Sequence, residues 1–299
     1  MTEFRQIALS TGITLNVALA GDANAPPVIL LHGFPESHRT WRAIVPELSR
    51  DLRLIMPDQR GFGASDQPQD QAEYATNKIV ADVFALADAL RLESFALVGH
   101  DWGGAVAWAT AIRNDPRLAR LAVVNAPHPV VFQKSLIEDA DQRAASQYIT
   151  AFRTPGMVEG IAAMGWETFF DKSFGGHVDL GVIPPEERAQ YIAEWSQPGT
   201  MNAMLNWYRA AAVMVPPPGI TVPLPDFLLR AFPKVRVPTL VVWGMKDKAL
   251  LPVQLDGLDA LVDDLTIHRI PDAGHFCPWE APDAVLAGLK PFLKRGDAS

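Results

Sequence analysis

Four short stretches carry residue types that could act together. Gly99-His100-Asp101-Trp102-Gly103-Gly104 sets an aspartate among glycines directly after the apolar run 95–98. His275 stands in Asp272-Ala273-Gly274-His275-Phe276, and Asp247 closes Trp243-Gly244-Met245-Lys246-Asp247. His32-Gly33-Phe34-Pro35 follows another apolar run, 28–31. The first stretch has the form G-x-nucleophile-x-G, a sharp strand-to-helix bend that lifts its middle side chain clear of the sheet. A carboxylate in that place is already ionised at neutral pH, since its reference pKa is about 3.9. It can displace a leaving group from saturated carbon and form an alkyl ester of the enzyme. Attack on an ester or amide would give only a reactive anhydride, so the aspartate argues against esterase, lipase and peptidase chemistry. His275 is then the base that drives water onto the ester, and Asp247 fixes its tautomer. The backbone N–H groups of Phe34 and Trp102 suit an oxyanion hole. An ordinary reading of Asp101, as a helix N-cap, is common. The chain order aspartate, acid, histidine weighs against it.

These residues need elements to hold them. Residues 4–9 and 13–20 alternate around Ser10-Thr11-Gly12 and read as a hairpin. Runs at 28–31, 52–56, 95–98 and 118–124, apolar apart from Arg53 and Arg120, read as parallel strands covered on both faces. Helix-like spacing fills 77–92 and 104–114. From about His128 to Pro233 no strand pattern is convincing. Helical pieces at 139–153, 157–170, 185–195 and 202–214 occupy that stretch instead. Strand-type runs return at 238–243 and 265–270, and an amphipathic helix at 282–293 closes the pattern. Strand–helix alternation means an α/β fold with a mostly parallel sheet. The domain boundaries expected are 1–127 and 234–299 for the sheet core, with a helical cap over 128–233.

On these motifs the chain resembles the α/β-hydrolase superfamily, and within it the soluble type of epoxide hydrolase. The resemblance runs over nearly the whole chain. It rests on HGFP at 32–35, GHDWGG at 99–104, NAPHP at 125–129, GMKD at 244–247 and DAGHF at 272–276. It also takes in two cap segments, SQYITAFRTPG at 146–156 and LNWYR at 205–209. In that family one cap tyrosine from each segment hydrogen-bonds the epoxide oxygen, and the resemblance puts these roles on Tyr148 and Tyr208. A tyrosine suits the task, because its hydroxyl stays protonated to a pKa of about 10 and can donate. Tyr74 and Tyr191 keep the reading of core aromatics. Phe34, Trp102, Trp207 and His128 are the residues expected to line an apolar substrate pocket. The resemblance implies a small apolar epoxide and water as the reactants, with no metal or organic cofactor.

Two rivals share the aspartate. A haloalkane dehalogenase would use Trp102 as a halide donor, but that family usually has asparagine where Phe34 stands. A haloacetate dehalogenase places arginine after the aspartate, where this chain has Trp102. A non-catalytic binder of small apolar ligands is a third reading, and it has no use for the Asp–His–Asp set. Of the remaining histidines, His32 and His100 read as structural neighbours of their motifs. His38 and His177 read as surface or loop residues, and His268 falls within a strand. Cys277 reads as a packed thiol.

Composition sets outer limits. The chain has 299 residues, 48% of them hydrophobic, enough for one large core with an insert. Its net charge of −8 and lack of a basic block argue against nucleic acid or an anionic membrane surface as partner. A single cysteine excludes a disulfide within the chain and a Cys-rich metal site. The first ten residues lack the basic start and apolar core of a secretory signal. No apolar run approaches the roughly 20 residues that span a bilayer. The expectation is a soluble cytoplasmic protein without membrane insertion; a homo-oligomer stays open.

Overall fold

The computed structural model describes residues 2–294. Eight strands form one sheet: β1 (Glu3–Ala8), β2 (Thr14–Ala20), β3 (Pro27–Leu31), β4 (Arg53–Pro57), β5 (Phe95–His100), β6 (Leu118–Val124), β7 (Thr239–Gly244) and β8 (Leu265–Ile270). Their spatial order is β1-β2-β4-β3-β5-β6-β7-β8. The hairpin β1–β2 is antiparallel, with Glu3 opposite Leu19 and Ala8 opposite Thr14, and β2 meets β4 antiparallel. All pairings from β4 to β8 are parallel. The α/β expectation therefore holds, with the sheet mostly parallel.

The apolar runs explain why the centre is parallel. Side chains alternate across a strand, so each run must feed two cores. Ile29, Leu31, Leu97, Val123 and Val241 belong to the apolar cluster on one face. Val28, Leu30, Val98, Ala122 and Val242 belong to the cluster on the other. A strand buried on both faces needs helices above and below, and parallel connections supply them. Helices Thr76–Ala89 and Trp102–Ala111 lie against the first cluster and helix Pro282–Leu293 against the second.

Between β6 and β7 the chain leaves the sheet and builds a helical insertion over residues 129–210, beginning with Pro129–Glu138 and ending with Thr200–Ala210. Three expected helices differ in detail. The stretch 139–153 is two helices, Ala140–Ala145 and Gln147–Arg153, parted at buried Ser146. Its hydroxyl accepts from Gln142 Nε2 at 2.9 Å. The stretch 157–170 breaks at Gly165, whose φ of +88° cannot continue a right-handed helix. The helix expected at 202–214 begins at Thr200 and ends at Ala210, and the chain continues extended toward Pro216-Pro217-Pro218.

Active-site ligands are expected beyond the carboxyl ends of parallel strands. The loops after β3, β5, β6, β7 and β8 all leave the sheet there. The insertion departs from the end of β6 and covers the same edge.

Candidate active site

Asp101 sits at the bend between β5 and helix Trp102–Ala111 with φ +50° and ψ −118°. Such a conformation costs a non-glycine residue roughly 1–3 kcal/mol and persists only where the surroundings enforce it. Glycines make it feasible. A Cβ on Gly103 would lie 2.3 Å from the Leu31 carbonyl oxygen, and one on Gly33 would lie 2.4 Å from Asp101 Cβ. The bend and the loop after β3 can approach this closely only because both positions lack a side chain. The result is a bond from Phe34 N–H to Asp101 Oδ1 at 2.8 Å. Trp102 opens its helix, so its N–H is among those without an intrahelical partner.

His275 follows β8 and reaches back between the two carboxylates. Its Nδ1 donates to Asp247 Oδ2 at 2.8 Å, and its Nε2 lies 3.4 Å from Asp101 Oδ2. Asp247 is fully enclosed and accepts from the N–H groups of Ala249 and Leu250, both at 2.8 Å. Burial opposes ionisation of Asp101 and Asp247, yet the imidazole between them holds both carboxyls below the usual range. Burial likewise opposes a charge on His275, but the two carboxylates outweigh it and raise its pKa well above the ordinary value. Both carboxylates therefore favour the charged form of the His275 ring.

Tyr148, on helix Gln147–Arg153, and Tyr208, on helix Thr200–Ala210, come from the insertion with ring centres 6.1 Å apart. Both line the same two cavities as Asp101. Burial and the nearby carboxylate of Asp101 push both hydroxyls well up, so each remains a donor at any working pH. One cavity, of about 270 Å³, runs beside Trp102, Phe132 and Val213. The other, of about 350 Å³, opens past Phe34, His177 and His275. They meet at Asp101 and the two tyrosines.

Not every expected pocket residue is there. Phe34 and Trp102 line the cavities, but Trp207 and His128 do not. Trp207 donates its indole N–H to the Arg60 carbonyl at 3.0 Å and packs edge-on against Phe62, tying the insertion to the core. His128 caps helix Pro129–Glu138 by accepting from Val130 N–H, and its ring lies between Trp108 and Phe232. A helical position directs Trp207 away from the cavities and a capping position directs His128 away. Two histidines expected at the surface or in loops are both partly buried. His38 is largely covered and lies 2.7 Å from Asp58 Oδ1. His177 lines the larger cavity, its ring centre 5.7 Å from that of His275. His100, by contrast, is the structural neighbour expected: its Nε2 donates to the His275 carbonyl at 2.8 Å. Cys277 is buried, its Sγ 3.1 Å from Asn125 Oδ1, and burial raises its pKa.

Asn125 is a site residue that the motif NAPHP contained but to which no role was given. It directly follows β6 with φ +43°. Its Nδ2 donates to Asp247 Oδ2 at 2.8 Å, and its Oδ1 accepts from Gly244 N–H at 3.0 Å. It locks Asp247 to the ends of two strands. An asparagine directly after a buried strand, tolerant of positive φ, was the available signal. Among the described residues, no group of three or more His, Cys, Asp or Glu side chains is arranged to hold a metal ion, and no helix is long and apolar enough to cross a membrane.

Known proteins share this fold. A family model described as the alpha/beta hydrolase fold matches residues 26–282. The AB hydrolase superfamily protein YfhM of Bacillus subtilis (strain 168) is 32% identical over 290 residues, 97% of this chain and 97% of its own. Epoxide hydrolase 3 of Xenopus tropicalis is 30% identical over 290 residues, 95% of this chain and 76% of its own. Among solved structures, one described with novel epoxide hydrolases of the alpha/beta hydrolases superfamily, from metagenomes of hot environments, gives a TM-score of 0.88. It is 43% identical and covers 99% of this chain and 100% of that chain. A Bacillus megaterium epoxide hydrolase, in complex with an inhibitor, gives a TM-score of 0.86 at 25% identity, over 98% of this chain and 100% of that chain.

Proposed function

The chain belongs to the α/β-hydrolase superfamily, in its epoxide hydrolase-like family, and on that premise we propose that it opens epoxides through an ester on Asp101. One Asp101 oxygen attacks a ring carbon, and the carbon–oxygen bond of the strained ring breaks. The departing oxygen takes a proton from Tyr148 or Tyr208 while hydrogen-bonded to both. What supports this reading above all is the convergence of Asp101, Tyr148 and Tyr208 on the same two cavities. The nucleophile and the two donors thus flank a common space, as in-line opening of a three-membered ring requires.

Ester formation removes the charge on Asp101. His275 then keeps Asp247 but loses one of the two carboxylates that raise its pKa. Its pKa moves down toward that of a useful base at the step that needs one. Its Nε2 proton goes to solvent, to be regained when the Asp101 carboxylate returns, and the freed nitrogen takes a proton from water, whose oxygen attacks Asp101 Cγ. The N–H groups of Phe34 and Trp102 hold the oxyanion of the tetrahedral intermediate. Collapse frees the diol and regenerates the carboxylate. The two protons of water end on the second hydroxyl and on the tyrosine that protonated the first.

The test is mass analysis of variants given an aryl epoxide or a matched alkyl bromide. His275→Gln should gain the mass of the epoxide and hold it, Asp101→Ala should gain nothing, and the wild type should release a vicinal diol. Halide release from the bromide without diol from the epoxide would reassign the chain to the dehalogenase reading. Hydrolysis by His275→Gln at the wild-type rate would remove His275 from the role of base.

A further inference from the structure

The two cavities differ in chemistry beyond the three residues they share. The smaller is walled by apolar side chains such as Phe132, Ile149, Val213 and Phe227. The larger is bordered by Lys172, Ser173, His177 and Lys248. A substrate whose reacting carbon lies against Asp101 therefore has two directions in which substituents can run.

The lysines are unusual within this chain. Lys78, Lys134, Lys234, Lys246, Lys290 and Lys294 each lie within ion-pair distance of a carboxylate. Among the described residues, Lys172 and Lys248 alone of the eight lysines have no such partner, and both border the same cavity. Lys248 Nζ donates once, to the Gly176 carbonyl at 3.0 Å, which leaves two of its three donors free. Asp101 is the only carboxylate on that cavity's lining, in a chain whose net charge is −8. A mouth carrying two unneutralised cations on an otherwise acidic protein favours anions locally.

We infer that the larger cavity receives the anionic end of the substrate, so that the preferred epoxide carries an apolar group on one ring carbon and a substituent ending in a carboxylate or similar anion on the other. This rests on the epoxide reading above. The lysines are solvent-exposed, so each contributes modestly and is screened by salt. Together they should favour an anionic over a neutral substituent by about five- to tenfold in kcat/KM at low ionic strength.

Three probes test it: an epoxide with phenyl on one carbon and a butanoate chain on the other, its methyl ester, and the corresponding primary amine. For the wild type the expected order is carboxylate above ester above amine. Raising the salt to 1 M should bring carboxylate and ester together. In the double variant Lys172→Gln/Lys248→Gln, the carboxylate-to-ester ratio should fall toward one at low salt. Equal kcat/KM for carboxylate and ester in the wild type, or a ratio that survives the double substitution, would overturn the inference. Diol from none of the three probes would instead overturn the epoxide reading on which it rests.

Discussion

Asn125→Ala is the substitution that most sharply separates support of the proposed triad from the triad residues themselves. Three losses can be worked from the geometry. The Gly244 N–H, inside the sheet, loses its acceptor at 3.0 Å, and a buried orphan donor costs about 1–3 kcal/mol. Asp247 loses a charge-assisted bond at 2.8 Å while keeping those from Ala249, Leu250 and His275, at about 1.5–3 kcal/mol. Alanine must also adopt φ +43°, for which a residue with a Cβ and no side-chain hydrogen bond pays about 1–2 kcal/mol. The three terms together span about 3.5 to 8 kcal/mol; because neighbours overlap the sum is not additive, and a loss near the lower bound, about 4 kcal/mol, is expected. That is a large share of the stability of a typical domain. Urea unfolding followed by tryptophan fluorescence measures it. Stopped-flow kinetics of the surviving folded enzyme should show ester hydrolysis slowed by more than ester formation, since Asp247 acts through His275. A loss below about 1 kcal/mol together with wild-type hydrolysis would show that Asn125 is not the anchor of the acid, and the reasoning would fail.

Tyr208→Phe removes one of two hydroxyl donors, and by comparison with other oxyanion donors should slow ester formation by about 10²-fold. Rapid-quench measurement should show hydrolysis of the preformed ester little changed. His128 sets a pH limit on stability. Burial lowers its pKa to about 4, so below about pH 6.5 the unfolded chain binds a proton that the folded chain refuses. Stability contributed by this group is therefore present above that range and declines as the pH falls from about 6.5 to 4, by about 3 kcal/mol in full. His128→Asn, which can still cap the helix, should flatten the acid side of a urea-midpoint-against-pH curve; an unchanged slope would clear His128 of the effect.

The sheet is readable because its central runs are short, apolar on both faces and bounded by turn residues, whereas the helix-like stretches of this chain run longer. Asp101 was readable because the glycines beside it and the strand before it fix its conformation locally. Tyr148 and Tyr208 were named from resemblance alone, since nothing in their helical spacing distinguishes them from core aromatics. His177 and Lys248 were out of reach of local pattern. They approach the cavity only when the insertion folds across the sheet edge, bringing together residues that sequence separates by about seventy positions. Trp207 and His128 fail for the reverse reason. Each neighbours a site residue in sequence, but the helix turns one toward Arg60 and the cap position turns the other toward Trp108.

The account stands on a transient bond between Asp101 and a saturated carbon of the substrate. A single turnover in water enriched in oxygen-18, with enzyme in excess over epoxide, tests it most directly. Peptide mass mapping should find the heavy atom in the Asp101 carboxylate and the released diol unlabelled. Label appearing in the diol, with Asp101 unlabelled, would mean that water attacks the epoxide itself and would contradict the account.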